Sequence, residues 1–563
     1  MGVFNNLLLA CLLMPLLHAY VVINSQDYMD VASAIFYANA NGDVNYLIFP
    51  GDDYALSLMQ IGNRGGILLV ESPGKPVFAG FRSALEAEGN LVELISSTGT
   101  QLNLELARKS GVRNFIITDS VYGHNIVSLV AYAKSTHAYL IFANKSNVGE
   151  VASFLSSNRP DSVMLYGILD EEVVNAVEGL GVGTETINNG DKYEDNMEIV
   201  DRYLSSNPEL KDVLLSDGNV LEVSINTGDV PVVLVSTVIP DSTYNFMLEN
   251  ARDGRISAAT LIGSTNLDPV YDMTKKVNTQ LVDKRLRVLV KFGQGATGGS
   301  GEVQPLSTFP LPSPFAAVSL DSAAYNPASG AFELVYSNKG NAQAFVKSSI
   351  QVLLNGQQVG TIGDDERYTI RRGESKGVRY PFENPGEGQL SINDTTYYGV
   401  SALSFDKAFL KYMDVGRISF VDQSSMALSD ASYSPLEDKL AVKVRNNGTS
   451  EVFYRISVSY INDEGITVYD EEQVRNISAG RNEIVSLGGV LKLPMDKADK
   501  TRMNVTATYG AREAFLEKRA HVDVNIEGFP WWILLILLMI LLALAYWYYK
   551  RRKGQGASAK SLQ

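Results

Sequence analysis

Nucleophiles and general bases are scarce in this chain. Its 563 residues include four histidines and one cysteine. Cys11 and His18 fall in the first apolar stretch, so His124, His137 and His521 are the imidazoles of the folded part. A folded part without a thiol excludes disulfides, cysteine-ligated zinc, iron–sulfur clusters and thiol catalysis. No H-E-x-x-H pattern marks a zincin helix, and no G-x-S-x-G marks a nucleophile elbow. His124 and His137 could serve a serine or aspartate, or simply pack. Gly293 to Gly298 reads G-x-G-x-x-G, but a dinucleotide site needs a helix to open there. Pro305, Pro310, Pro312 and Pro314 follow instead. The acidic pairs Asp52-Asp53 and Asp364-Asp365 lack the spacing of a calcium loop. The expectation is a chain with no catalytic residues, no cofactor and no metal: not an enzyme.

Residues that could contact a ligand are of two kinds. Asp191, Lys192, Tyr193 and Glu194 stand where a helix begins; they either cap it and complement its dipole or reach a ligand. Asp217 and Asn219 follow an apolar run of strand length, at the edge where open α/β sheets bind ligands. Asp52 and Asp53 follow another such run.

The elements that would position them form two textures. From Tyr20 to Phe292, short apolar runs alternate with helical patterns. The runs are Val44–Phe49, Gly66–Val70, Phe115–Thr118, Ala138–Phe142, Val163–Tyr166, Asp212–Leu215, Val230–Val235 and Ala259–Ile262. Helical candidates include Ala84–Glu88, Leu102–Lys109, Val148–Leu155 and Glu171–Leu180. Continuously apolar strands separated by helices predict mostly parallel sheets covered on both faces, three α/β layers deep. The runs Gly66–Leu69, Ala138–Ile141 and Pro231–Leu234 suggest equivalent places in a loose internal repeat.

Gly190–Glu194 (GDKYE), Asp52–Ser57 (DDYALS) and the Gly66–Leu69 and Pro231–Leu234 strands resemble the cell wall-binding type 2 modules. That family's motif reads G-x-D-R-Y-E-T, then S-G-x-N-F-P-D-A-L-S, then P-I-L-L, with a final V-G-G strand loosely matched by Val163–Gly167 and Ala259–Gly263. The modules typically occur in threes, which implies units at 20–98, 99–186 and 187–292. The middle unit carries Thr100-Gln101-Leu102, and the first Gln26-Asp27-Tyr28-Met29, where the D-R-Y-E block belongs. The resemblance implies binding to an anionic wall polymer. The formal charge of −15 argues the other way, since an acidic body repels polyanions unless basic patches or bridging cations intervene. The same balance argues against nucleic acid.

After a Gly/Ser/Pro-rich linker at 293–314, period-2 alternation with turns every 8–12 residues predicts two all-β sandwiches, at 315–403 and 416–527. Asn338-Lys339-Gly340 and Asn446-Asn447-Gly448 hold the same place in each. With Arg371–Glu374 and Ser478–Arg481 further on, they resemble the turns of the CARDB-type, Ig-like stalk domains of prokaryotic surface proteins. Sequons at Asn144, Asn393, Asn447, Asn476 and Asn504 are glycosylation candidates.

The ends give the topology. Residues 1–19 read as a signal peptide. Trp531 to Tyr548 carries no charge, and 18 residues at ~1.5 Å each reach ~27 Å, about the hydrocarbon thickness. Aromatic belts flank it, and Lys550-Arg551-Arg552-Lys553 follows. This predicts a transmembrane helix at 530–549, a basic cytoplasmic tail at 550–563 and everything else outside. The expectation is a single-pass envelope protein contacting the bilayer through its C-terminal helix. Its partner would be an envelope polymer, a surface-layer protein or a neighbouring cell, with homo-oligomers left open. A surface-layer lattice subunit, a solute-binding protein or a hydrolase are the alternatives.

Overall fold

The computed structural model describes residues 20–263, 266–281, 285–295, 303–403, 405–434, 439–461, 467–471, 474–488, 502–526 and 539. The expected signal peptide, cytoplasmic tail and, apart from Met539, transmembrane run lie outside these residues. Among the described residues no helix is long and apolar enough to cross a membrane. The described residues divide into two compact bodies, those up to 422 with 512–515, and those from 423 to 511 with the rest from 516 on.

The first body opens with three parallel sheets. In the first α/β unit, β1 (Tyr20–Asn24), β2 (Val44–Leu47), β3 (Gly66–Glu71) and β4 (Leu91–Ile95) alternate with α1 (Tyr28–Asn41), α2 (Tyr54–Ile61) and α3 (Phe81–Ala87). Helix α4 (Gly99–Ser110) leads into the second unit: β5 (Asn114–Thr118), α5 (Gly123–Ser135), β6 (Ala138–Phe142), α6 (Val148–Asn158), β7 (Ser162–Tyr166), α7 (Glu171–Glu178) and β8 (Thr184–Ile187). Helix α8 (Lys192–Ser206) leads into the third: β9 (Asp212–Ser216), the short β10 (Val220–Leu221) and α9 (Val223–Asn226), β11 (Val232–Leu234), α10 (Asp241–Asp253), β12 (Ala258–Ile262), α11 (Leu267–Gln280) and β13 (Arg287–Lys291).

The sheet orders are β2-β1-β3-β4, β6-β5-β7-β8 and β11-β9-β12-β13, so each unit repeats one topology. This corrects the equivalences expected from sequence. Gly66–Glu71 is a third strand, whereas Ala138–Phe142 and Val232–Leu234 are second strands. The true second strands begin at 44, 138 and 232, two steps of 94 residues. Likewise α1, entered by Gln26–Met29, is the counterpart of α5; the helix matching α8 is α4. A short apolar run looks alike whether it is a second or third strand, because both are buried on two faces. The identical Tyr46–Phe49 and Tyr139–Phe142 (YLIF) mark the equivalent second strands, one residue out of their structural register.

The second strand is an edge in every sheet, and an edge exposes unpaired backbone groups. Two fully buried asparagines answer this need. Asn103 on α4 donates to Leu140 O at 2.9 Å and accepts from Phe142 N at 3.1 Å. Asn196 on α8 donates to Val232 O and accepts from Leu234 N, both at 2.8 Å. Each also donates to a serine of the preceding unit, Asn103 to Ser33 Oγ and Asn196 to Ser128 Oγ. One side chain thus finishes an edge and joins two units. The third unit reaches the first through Asn226 O, which accepts from Asn39 and Asn45.

The described parts of the expected linker form short strands. Gly293–Gly295 is a strand paired with Val303–Pro305, not a helix start, and Phe309–Pro310 pairs with β10. The all-β part of the first body then runs in the order Gln357–Gly363, Ala344–Leu354, Leu390–Gly399, Lys407–Arg417, Val318–Asn326, Ala331–Asn338, Ser375–Pro381. Val318–Asn326 and Lys407–Arg417 share two residue pairs, and both halves close on one apolar core. Lys407–Arg417 lies beyond the expected end at 403. Asn355-Gly356, with φ of 52° and 80°, makes the tight turn of its hairpin.

The second body repeats this topology. Asn482–Gly488, Lys439–Asn446, Met426–Ser434 and Asn525–Ile526 form one sheet; Thr467–Glu471, Val452–Ile461, Arg502–Gly510 and Lys518–Asp523 form the other. Asn338 and Asn446 are equivalent. Asn338 donates to Ala342 O and Ile370 O, Asn446 to Ser450 O and Ile477 O, and each accepts from the glycine two residues on.

Candidate functional site

Each of the residues picked out for ligand contact is placed by the structure. Asp191 caps α8, accepting from Tyr193 N at 2.8 Å. Its other oxygen accepts from Ser401 Oγ at 3.0 Å, and Gly190 O accepts from Ala402 N at 2.9 Å. Lys192 Nζ lies 5.0 Å over the Tyr193 ring, and Glu194 occupies the first helical turn. All three are half-buried. Asp217 Oδ1 accepts from Asn219 N, and Asn219 Oδ1 accepts from Ser313 Oγ at 3.0 Å. Asp52 accepts from Phe49 N and Ser307 Oγ. Asp53 caps α2 through Leu56 N. These residues do not converge on one site. They hold helix starts and fasten the chain that follows the α/β units onto them.

That fastening is densest at the carboxyl edge of the second sheet. Strands β5 and β7 are neighbours there, and the strand order reverses between them, which is where open α/β sheets hold ligands. Asp119 follows β5, and Asp170 follows β7. The turn Arg371–Glu374 of the all-β part reaches into this crevice. Arg372 lies 3.4 Å from Asp170 and 3.9 Å from Asp119; Arg371 lies 3.3 Å from Glu171 and 3.2 Å from Glu172. Glu172 is only 3% exposed and also meets Lys145 at 3.3 Å. Burial pushes the Asp119 carboxyl up to about 6, opposed by the Val121 N–H and by Arg372. The void left among Asp119, Tyr122, Asp170, Arg371 and Arg372 is about 10 Å³, too small for a substrate. Sequence reasoning missed this seat because its cations come from about 200 residues away.

His124 lies beneath the docked strand. It is 7% exposed, and burial, aided by the Lys192 charge, pushes its imidazole down to about 3, so it is neutral. Gly218, at φ 80°, packs against it so closely that an added Cβ would stand 2.7 Å from His124 Cβ. Gly123 N donates to Pro312 O. His137, in the same unit, and His521, in the second body, are exposed. Among the described residues, no three His, Cys, Asp or Glu side chains cluster to hold a metal ion.

An open concavity of the α/β part is in the third unit. A groove of about 670 Å³ runs between α10 and α11. Asp241, Asp268 and Asp272 line it with Lys276, Tyr244 and Met273; Val238 at its rim is 78% exposed. Gln280 Nε2 donates to Tyr244 OH at 2.6 Å across the two helices. With three carboxylates and one ammonium, this groove favours cationic or hydroxyl-rich groups.

No family model matches the chain, and no curated protein matches it. Among solved structures, Cwp8 from Clostridium difficile is similar over 46% of this chain and 47% of its own, at 12% identity and a TM-score of 0.38. The chain thus spans about half the length of Cwp8. The CsuC-CsuE chaperone-tip adhesion subunit pre-assembly complex from Acinetobacter baumannii is similar over 38% of this chain and 99% of its own, at 10% identity and a TM-score of 0.14. Red sea bream transglutaminase aligns over 38% of this chain and 31% of its own, at 9% identity and a TM-score of 0.13. At such scores, the functional reading rests on the chain's own geometry.

Proposed function

We propose that the chain is a non-enzymatic, membrane-anchored cell-surface protein. Its α/β head is held firmly on an all-β stalk, and the head engages an envelope polymer or a surface-layer partner. The observation that carries this reading is the Arg371–Arg372 turn seated among Asp119, Asp170, Glu171 and Glu172. The crevice where an α/β enzyme of this topology would hold its substrate is filled by the chain itself. Ser401 on Asp191 and Phe309–Pro310 on β10 add two further fastenings. Such a head suits presentation of an outer face, and the α10–α11 groove is the binding face. Its carboxylates favour amino-bearing glycans, or polyanions bridged by divalent cations. The apolar run Trp531 to Tyr548 supplies the anchor.

The test is retention of residues 20–526 on purified envelope fractions, with and without chelator. The reading expects retention, weakened several-fold by Asp241→Asn with Asp272→Asn. Turnover of an envelope substrate, or self-association of the ectodomain with no retention, favours a hydrolase or a lattice subunit instead.

A further inference from the structure

The outer face of the all-β part of the first body exposes a row of three large apolar or aromatic side chains, Tyr397, Leu410 and Tyr412. On strand Leu390–Gly399, Ile392, Asp394 and Thr396 are buried, and Asn393, Thr395 and Tyr397 alternate onto the other side. Tyr412 stands opposite Asn393, and Leu410 opposite Thr395. Leu410 is 74% exposed, Tyr412 61% and Tyr397 47%. Beside them lies a cleft of about 620 Å³ lined by Lys347, Ser349, Thr361, Asp365, Tyr380 and Tyr397. The cleft and the apolar stripe are continuous, since Ser349 pairs with Thr395 and Lys347 with Tyr397.

Asn393-Asp394-Thr395 is a glycosylation sequon whose amide and hydroxyl leave the sheet side by side on this face. The Asn393 amide nitrogen reaches Gln351 Oε1 only at 3.5 Å, the limit of a hydrogen bond, so little is lost on substituting it. The other sequons differ. Asn144 follows β6, and Asn504 lies on Arg502–Gly510 of the second body, so neither is on this face. Asn447 and Asn476 are exposed, but neither belongs to this face.

We propose that Asn393 carries an N-linked glycan and that Tyr397, Leu410, Tyr412 and the adjoining cleft form the cradle on which it lies. In the transfer, the amide nitrogen attacks the anomeric carbon of an oligosaccharide carried on a diphosphate donor. One N–C bond forms, the C–O bond to the diphosphate breaks, the amide gives up one proton and the diphosphate carrier leaves. A sugar's C–H face then covers the tyrosine rings, which are apolar on their faces and polar at the hydroxyl. Ser349, Thr361, Asp365 and Lys347 meet the sugar hydroxyls. The glycan thus removes an exposed apolar patch that would otherwise mark an interaction site.

This inference rests on the outward placement argued above, so its test includes an internal control. The full chain is purified from the cells that make it, and glycopeptide masses are read at Asn393 and Asn447. Wild type and Thr395→Ser are expected to carry sugar at Asn393. Thr395→Val is expected to lose it there alone, to unfold at the wild-type temperature, and to bind an apolar dye several-fold more. Sugar on Asn447 with Asn393 bare overturns the cradle and leaves a protein partner as the occupant of the face. Sugar on no sequon overturns the cradle and counts against the exterior placement as well.

Discussion

Arg371 and Glu172 meet at 3.2 Å, although 199 residues separate them, and the carboxylate is 3% exposed. The pair ties a turn of the all-β part to the first turn of α7, and Lys145 shares the same oxygen of Glu172. A buried carboxylate that loses one of two cations keeps its desolvation cost and loses part of its compensation.

Arg371→Ala is therefore expected to destabilise the first body by about 2 kcal/mol, with Arg371→Lys intermediate because it cannot reach both glutamates. Denaturant unfolding of the ectodomain measures the loss. An unchanged midpoint would show that the seat carries no load.

Asn103 and Asn196 are expected to behave as copies. Each alanine variant leaves a strand carbonyl, a strand amide and a serine without their partner in a dry site. The expected cost is about 3 kcal/mol for each. The double variant should be close to additive, because the two clasps share no contacts. Equilibrium unfolding of both single variants and the double variant checks this; a large loss for one and none for the other contradicts the repeat.

Much of this architecture was legible in the sequence, and the failures have a common cause. Runs such as Ala138–Phe142 and Asp212–Leu215 announced buried parallel strands because nothing polar interrupts them. The Asn338 and Asn446 turns announced two equivalent all-β parts. Which strand of one unit matches which strand of the next was not legible from apolarity, because second and third strands bury the same surface. Asp191 and Asp217 were recognisable as helix-cap and strand-end residues. Their partners, Ser401 for the one and the Asn219–Ser313 contact beside the other, lie too far along the chain for spacing to reveal. The Asp119–Asp170 crevice was hidden for the same reason.

Acid pH should favour the folded state locally. Asp394 is fully buried, and burial pushes its carboxyl up to about 6, against hydrogen bonds from Thr396 and Tyr336 that lower it. Its folded value lies above the ordinary one, so the native state binds more protons between about pH 4 and 6. The resulting stabilisation is complete below that window and is lost as pH rises through 6. Asp119 and Asp195 shift the same way. Asp394→Asn removes the titration, so its stability relative to wild type should rise by on the order of 2 kcal/mol from pH 4 to pH 7. Thermal melts across that range read the difference; parallel pH profiles contradict it.

Gly218 has a conformational and a steric requirement at once. Its φ of 80° suits glycine, and His124 occupies the space a Cβ needs. Gly218→Ala is expected to cost at least about 2 kcal/mol and to loosen the strand docked over His124. Hydrogen exchange at Leu311, whose amide donates to Asn219 O, should quicken. Unchanged exchange there contradicts the fastening.

In the proposed topology the head and stalk stand outside a membrane that the C-terminal run crosses. Protease added to intact cells, followed by detection of an epitope at each end, tests it directly. The account predicts that material from 20–526 is shaved away and a short membrane-bound fragment bearing the 550–563 tail survives. A chain that stays whole on intact cells and is cut only after lysis contradicts it.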